Sequence, residues 1–181
     1  MAATNRKDAP YKILAKRRQK LTEEEKRRRR CCFCGIGPER IRRPVDDVKV
    51  DLENEILAAI KEGYTTFITG LEEGPDLWAG TIVARLRDDR FPELKLIAAL
   101  PFQGICEEWE WQKKTPGLLA KADYVKAVFP ADMSQVIRKR NEWMIDHSAK
   151  MIAVYDGKLW NTQAAISYAR KSRIPVKVLE G

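Results

Sequence analysis

Short apolar runs alternate along the chain with longer segments whose apolar residues recur at helical spacing. The apolar and β-branched runs at 31–34, 65–69, 94–100, 124–129, 151–155 and 175–179 predict strands. The amphipathic segments at 44–62, 75–87, 106–121, 134–148 and 161–172 predict helices. Strands that are apolar on both faces and alternate with helices are typical of a covered parallel sheet. We therefore predict an α/β fold, a Rossmann-like parallel sheet of about six strands with helices on both faces, plus a basic N-terminal arm.

The positive charge of the chain is confined to that arm. Residues 1–30 carry 12 Lys or Arg and 4 acids, which accounts for the whole net charge of +8. We predict an arm over 1–30 that is helical or disordered, and a single Rossmann-like domain over 31–181. Thr22 followed by Glu25 is typical of a helix N-terminus within the arm. We expect any contact with nucleic acid or an acidic partner to be made by four consecutive arginines, Arg27, Arg28, Arg29 and Arg30.

The composition also bears on location and on metals. No stretch approaches the ~20 apolar residues of a membrane helix, and the N-terminus has no apolar signal core, so we expect a cytoplasmic protein. Cys31 and Cys32 are adjacent on a strand and point to opposite faces, which is wrong for joint ligation of zinc. We expect no metal site, and we expect these cysteines to be small buried hydrophobes.

In a parallel sheet of this kind, ligands bind outside the carboxyl ends of the strands. The second strand ends at Thr69 and is followed by two glycines, Gly70 and Gly74, which allow tight turns and close approach of a ligand. Asp76 lies in the first turn of the next helix, whose free N–H groups favour an anion. The same sequence also fits an ordinary strand–turn–helix connection.

Two adjacent carboxylates in this turn, Glu72 and Glu73, argue against a polyphosphate there. They suit a ribose hydroxyl, an amine or a cation better. The first strand ends in Gly35 without a complete dinucleotide or phosphate-loop motif.

Further candidates follow the later strands. Arg140 has the geometry to clamp a phosphate or carboxylate, with Asn141 beside it, although a solvated basic helix face explains both residues equally well. Asp156 and Gly157 form a predicted turn, and Asn161 or Thr162 would cap the next helix. Four tryptophans lie in segments near this edge and are suited either to stacking a base or to packing helices on the sheet: Trp109, Trp111, Trp143 and Trp160.

Several of these segments together resemble the YpsA-like family of the SLOG superfamily, whose relatives include DNA-processing protein A and the lonely-guy phosphoribohydrolases. The resemblance covers about residues 31–179. The matching residues are Cys31, Cys32, Phe33, Gly35, Pro38, Thr69, Gly70, Gly74, Asp76, Leu77, Trp78, Ala99, Leu100, Pro101, Phe102, Trp109, Arg140, Asn141, Met144, Asp146 and the segment 152–157. It implies a Rossmann-like fold and a nucleotide-derived ligand, such as a nucleotide or an ADP-ribose-like molecule. It also makes a homodimer plausible.

The sequence departs from the family pattern at the expected ligand site. The family's Thr-Gly-His-Arg-Pro segment is Cys34-Gly35-Ile36-Gly37-Pro38 here, so the His and Arg are absent. Trp160 and Asn161 stand where the family has two glycines, and Glu72-Glu73 replaces small or apolar residues. All three changes remove features that favour phosphate.

Three functions follow as hypotheses. The first is binding or sensing of a nucleotide-derived molecule by Gly35, Thr69, Gly70, Gly74, Asp76, Trp109, Arg140, Asn141, Asp156, Gly157 and Thr162. The second is an interaction protein with a degenerate pocket, whose basic arm contacts nucleic acid or an acidic protein. The third is a nucleotide N-glycosidase with Asp76 as the catalytic carboxylate. The sequence leaves open whether the protein is an enzyme and favours a protein that is not one.

Overall fold

The computed structural model of the chain describes residues 20–101, 104–105, 116–128, 135–158 and 160–181. Within these residues the chain forms one six-stranded sheet. Its strands are β1 (Arg30–Gly35), β2 (Thr66–Thr69), β3 (Lys95–Leu100), β4 (Tyr124–Ala127), β5 (Lys150–Tyr155) and β6 (Val176–Glu180). Every neighbouring pair is parallel, and the order across the sheet is β4-β3-β2-β1-β5-β6.

Helices cover both faces of this sheet. They are α1 (Glu23–Arg27), α2 (Val45–Lys61), α3 (Pro75–Asp89), α4 (Pro116–Lys121), α5 (Val136–Asp146) and α6 (Trp160–Lys171), and a 3-10 turn spans Pro38–Arg40. The six predicted strands and the Rossmann-like α/β architecture are therefore confirmed. Among the described helices, none is long and apolar enough to cross a membrane.

The alternation of side chains along β1 divides the core into two halves. Cys31 and Phe33 join the apolar cluster beneath α2 and α3, where Phe33 stacks on Phe67 with ring centroids 5.8 Å apart. Cys32 and Cys34 join the cluster beneath α5 and α6. The three thiols are buried, as expected, and burial raises the pKa of Cys32 to about 12.

The helix α2 illustrates how the predicted periodicity is realised. Val48, Leu52 and Ile56 are fully buried on one face, whereas Ile60 is half-buried. The helix ends where Gly63 N–H donates to the Ile60 carbonyl oxygen at 3.0 Å, which confirms the predicted stop at this glycine.

The first helix confirms the predicted N-terminal signal. Thr22 caps α1 by accepting the Glu25 N–H at 3.2 Å, and the Glu25 carboxylate accepts the Thr22 N–H at 2.7 Å. Arg30 already belongs to β1, one residue before the predicted start of the sheet.

Two predicted details need correction or fall outside the described residues. Asn161 and Thr162 do not cap α6, because the helix already begins at Trp160 and both residues lie in its first turn. Of the helix predicted over 106–121, the structure describes the part from Pro116 to Lys121. Residues 106–115 lie outside the described part of the chain.

Candidate functional site

The winding direction of the sheet reverses between β1 and β5. From β1 the chain proceeds outward through β2, β3 and β4, and then returns to place β5 on the other side of β1. In open parallel sheets, the crevice at such a reversal is where ligands bind. Here the two sides of the crevice are joined by Thr162, whose hydroxyl donates to the carbonyl oxygen of Gly35 at 3.3 Å.

The turn between β2 and α3 is built around the side chain of Thr69. Its hydroxyl donates to the backbone oxygen of Asp76 at 2.7 Å and accepts the N–H of Leu71 at 3.1 Å. Leu71 is buried with a φ of 58°, a left-handed conformation that is uncommon for leucine. These contacts fix the turn that follows β2.

Asp76 lies inside the protein at this turn. Its side chain is 3% exposed and accepts a hydrogen bond from the N–H of Gly70 at 3.1 Å, and the nearby N–H of Gly35 also favours the ionised form. Burial raises the pKa of this carboxyl from 3.8 to about 6, and the nearby positive charge of Arg140 partly offsets that rise. The carboxylate thereby ties the carboxyl end of β1 to that of β2.

Arg140 reaches the same turn from α5. Its guanidinium is 1% exposed, and Nη1 donates to the carbonyl oxygen of Gly70 at 3.2 Å. Nε and Nη2 donate to Oδ1 of Asn141, at 3.2 and 2.7 Å, and Nη2 pairs with Glu72 at 3.2 Å. The buried cation therefore has several partners within the protein, as a buried charge requires.

Glu72, Asp76, Arg140 and Asn141 together form a cluster that we call the acid–arginine cluster. Its side chains carry one positive charge against one or two negative charges, depending on whether Asp76 is ionised. The side chain of Glu72 is 39% exposed, so this carboxylate links the buried cluster to solvent.

Three of the predicted glycines are packed against the protein itself. A Cβ on Gly35 would lie 2.4 Å from Pro75 Cβ, and one on Gly70 would lie 2.7 Å from Arg140 Cζ. A Cβ on Gly74 would lie 3.1 Å from the Ile36 carbonyl oxygen, and its φ of 102° also disfavours other residues. The N–H of Gly70, which we expected to meet a ligand, donates to Asp76 in this structure, and the N–H of Gly35, expected to do the same, lies near that carboxylate.

Gly157 differs from these three glycines. It lies after β5 with a φ of 85°, and no described atom is within 4 Å of the position that a Cβ would occupy. The preceding Asp156 accepts the N–H of Lys158 at 2.9 Å, which closes the predicted turn. Among the described residues, nothing packs against this exposed turn on the β5 side of the crevice.

Tyr155 is a candidate that the sequence did not reveal. It ends β5 at the same edge, and its hydroxyl is buried without a hydrogen-bond partner among the described residues. Buried hydroxyl groups in proteins are nearly always hydrogen-bonded. No sequence motif signals this position, because a tyrosine at a strand end is otherwise an ordinary packing residue.

The predicted arm contacts lie away from this crevice. Arg30 begins β1, at the opposite edge of the sheet, and pairs with Glu23 at 3.5 Å. Arg27 donates to the backbone oxygen of Asp146 at 2.9 Å, at the end of α5. Arg28 pairs with Glu24 at 3.2 Å, and Arg29 is exposed.

The remaining predictions concern aromatic side chains and metals. Trp109 and the side chain of Trp160 lie outside the described part of the structure. His147 stacks on Trp143, with ring centroids 4.2 Å apart, at the end of α5 remote from the cluster. Among the described residues, no group of three or more His, Cys, Asp or Glu is placed to hold a metal ion.

The sheet order and the crevice define a Rossmann-like α/β protein. The fold is similar to that of DNA processing protein A from Streptococcus pneumoniae, with a TM-score of 0.57 and 14% identity over 85% of this chain and 51% of that one. It also resembles DNA processing protein A from Helicobacter pylori, with a TM-score of 0.54 and 18% identity over 82% of this chain and 64% of that one. The Helicobacter pylori protein binds single-stranded DNA in a unique mode.

The sequence match identifies the family. The YpsA family, described as the "YspA SLOG family", matches residues 41–179, and the chain belongs to it. The resemblance noted from the sequence is thus confirmed.

Curated relatives support this assignment. The uncharacterized SPbeta prophage-derived protein YoqJ of Bacillus subtilis is 34% identical over 67% of this chain and 81% of that protein. A UPF0398 protein of Bacillus pumilus is 28% identical over 60% of each chain, so the matched region spans less than two thirds of that relative.

Proposed function

We propose that the protein binds a nucleotide-derived small molecule in the crevice between β1 and β5. The observation that supports this proposal is that a solvent-reaching carboxylate and a glycine turn follow strands on the two sides of β1, at the edge of the sheet where its winding direction reverses. Glu72 supplies the carboxylate and Gly157 the turn. Nucleotide-type ligands bind to other proteins at the equivalent place in open parallel sheets.

The charges in the crevice indicate which part of such a ligand meets the acid–arginine cluster. The positive charge of Arg140 is buried and already paired with Glu72, and Asp76 adds negative charge when ionised. A phosphate would therefore meet net negative charge, whereas ribose hydroxyls donate readily to a carboxylate. We propose that the ribose lies at Glu72 and that any phosphate extends toward the turn at Gly157.

Ligand-induced stabilisation tests this proposal, because a ligand that binds the folded state alone raises the unfolding temperature. Nucleoside monophosphates, NAD and ADP-ribose would be screened at millimolar concentration, beside mass spectrometry of small molecules that co-purify with the protein. We expect at least one ribose-containing compound to stabilise the protein. Absence of any shift across the panel, together with no co-purifying nucleotide, would contradict the proposal.

A matched pair of variants locates the site. Glu72→Gln weakens the hydrogen-bond acceptor at the proposed ribose position. We expect it to reduce the affinity for the nucleotide-derived ligand about tenfold, which corresponds to the loss of one hydrogen bond to a charged group. Glu53→Gln is the control, because Glu53 has a similar exposure of 34% and is likewise paired with an arginine, Arg85. Equal loss of affinity in both variants would place the ligand elsewhere.

The alternative hypothesis is contact with nucleic acid through the basic arm. It is favoured by the exposure of two adjacent arginines at the end of α1, Arg28 at 73% and Arg29. Binding through these arginines would weaken steeply as the salt concentration rises. The double variant Arg28→Gln/Arg29→Gln would lower the slope of log affinity against log salt by the contribution of about two phosphate contacts. Salt-independent binding, or binding unchanged in the double variant, would exclude a role for these two residues.

The third hypothesis is cleavage of a nucleotide N-glycosidic bond with Asp76 as the catalytic carboxylate. A pKa near 6 suits a general acid or base, but ligand access would require the turn around this 3%-exposed side chain to open. This hypothesis requires that the protein release free base from nucleoside monophosphates and that Asp76→Asn abolish this release.

We also predict that the protein self-associates as a homodimer, which analytical ultracentrifugation would test.

A further inference from the structure

A cavity lies between α5 and α6, next to the acid–arginine cluster, with which it shares Asn141. Its volume is about 570 Å³, within the range of roughly 300–1,000 Å³ that is typical of small-molecule pockets. Glu72, Asp76 and Gly70 are not among its described lining residues. The apolar lining residues that the structure describes are Ile137, Ile145, Ala164 and Ala165, and the ring of Tyr168 also lines the cavity.

The two alanines explain why this space exists. The small side chains of Ala164 and Ala165 are adjacent on α6, opposite Ile145 of α5. Because alanine does not extend beyond its Cβ, the two helices leave between them a partly open groove with apolar walls. Such a surface favours an apolar or aromatic body over water.

The charged residues of the described lining are two cations and one acid. Arg138 and Lys171 both line the cavity, whereas Glu142, its acidic lining residue, accepts Arg138 Nε at 2.8 Å and Lys139 Nζ at 3.1 Å. Asn141 also lines the cavity, and its Oδ1 is committed to the donors of Arg140. Its Nδ2 group is thus the end of the amide that a ligand in the cavity can use.

We propose that the cavity between α5 and α6 is a binding site for an amphiphilic organic anion, with an apolar or aromatic body and a single acidic head group. The body would lie against the alanines and isoleucines. The head group would lie near Arg138 or Lys171, with Asn141 as a hydrogen-bond donor. This site adjoins the proposed nucleotide crevice and shares Asn141 with the acid–arginine cluster, but its proposed ligand is different and does not require a nucleotide to bind.

The probe for this site is 8-anilinonaphthalene-1-sulfonate, an aromatic anion of suitable size, titrated by fluorescence and calorimetry. Ala164→Trp fills the cavity and is expected to weaken binding at least about tenfold. Gln163→Trp adds the same side chain at the neighbouring exposed position, outside the described lining, and should leave affinity within about twofold of wild type. Equal affinity of wild type and Ala164→Trp would overturn the proposal.

The acidic head group is tested separately. Removing both cations with Arg138→Gln and Lys171→Gln should weaken binding of the sulfonate about fivefold, since each exposed ion pair contributes about 0.2–1 kcal/mol. Binding of the uncharged analogue N-phenyl-1-naphthylamine should not change. Arg170→Gln is the control for overall charge, because Arg170 is exposed on α6 but is not a described lining residue. Equal weakening by the control would exclude a local role for the two cations.

Chemical-shift mapping on the wild-type protein keeps the proposal testable if Ala164→Trp does not fold. We expect the sulfonate to shift the side-chain amide of Asn141 and the backbone amides of 145 and 164. The backbone amide of Gly70 reports on binding in the nucleotide crevice, and we expect its chemical shift not to change. Shifts spread over the whole protein, or centred on Gly70, would overturn the assignment to this cavity.

Discussion

The guanidinium of Arg140 donates to the carbonyl oxygen of Gly70 at 3.2 Å, although 70 positions separate the two residues in sequence. The absence of a side chain on Gly70 makes this contact possible, since a Cβ there would lie 2.7 Å from Arg140 Cζ. The glycine that the sequence suggested as a ligand contact thus accommodates a buried arginine.

Gly70→Ala is expected to destabilise the protein by about 1–3 kcal/mol, because the new methyl group forces the guanidinium from its position. Chemical denaturation measures this loss. Gly117→Ala is the control, since no described atom lies within 4 Å of the Cβ position in α4. Alanine there should be neutral or stabilise by about 0.5–1 kcal/mol. A Gly70→Ala protein as stable as wild type would show that the turn and Arg140 are not closely packed in solution.

Replacing Arg140 itself should have a larger effect. Arg140→Gln removes the positive partner of Glu72 and leaves buried acceptors unpaired, so we expect a loss of about 3–5 kcal/mol. Arg85→Gln, which breaks the exposed pair with Glu53, should cost about 0–1 kcal/mol. The free energies of unfolding would be measured with urea. Similar losses of stability in the two variants would mean that the burial of Arg140 adds nothing to the stability that its ion pair provides.

The raised pKa of Asp76 predicts a specific pH dependence of stability. In the folded state its carboxyl holds a proton up to about pH 6, whereas the unfolded value is near 3.8. The folded protein therefore binds more protons between these values, and this group's contribution makes the free energy of unfolding fall as the pH rises through that window. The difference of about two pKa units corresponds to about 3 kcal/mol.

Asp76→Asn tests this pH dependence because asparagine has the same shape but does not titrate. Urea unfolding between pH 4 and pH 8 should show a stability difference between wild type and variant that shifts in favour of the variant as the pH rises. A difference that stays constant over this range would mean that Asp76 titrates normally in the folded protein.

The hydrogen bond from Thr162 to Gly35 is expected to stabilise the crevice modestly. Thr162→Val keeps the shape but removes the donor, and should cost about 0.5–1.5 kcal/mol. Thr162→Ser keeps the hydroxyl, so its stability should lie closer to wild type once the loss of one methyl group is allowed for. Thermal unfolding of the three proteins provides the comparison. A valine variant at least as stable as wild type would exclude a stabilising role for this bond.

Much of the fold could be predicted from local patterns. The apolar runs located all six strands, and the spacing of Val48, Leu52 and Ile56 predicted the buried face of α2, since these patterns depend on neighbours a few positions away. Thr22 with Glu25 and the stop at Gly63 are equally local. The prediction that Asn161 or Thr162 caps a helix was wrong because α6 already begins at Trp160, and the Thr162 hydroxyl instead bonds to Gly35, which is distant in sequence.

The sequence by itself determined the layered α/β architecture and the presence of glycines, acids and an arginine near strand ends, because hydrophobic periodicity and turn chemistry are properties of short segments. The tertiary structure decided what those residues contact. It directed Asp76 to the N–H group of Gly70, buried Arg140 beside Glu72, left the Cβ position of Gly157 free of other described atoms, and formed the groove between α5 and α6. These relationships join residues far apart in the chain, and they exist only once the sheet order brings their strands and helices together.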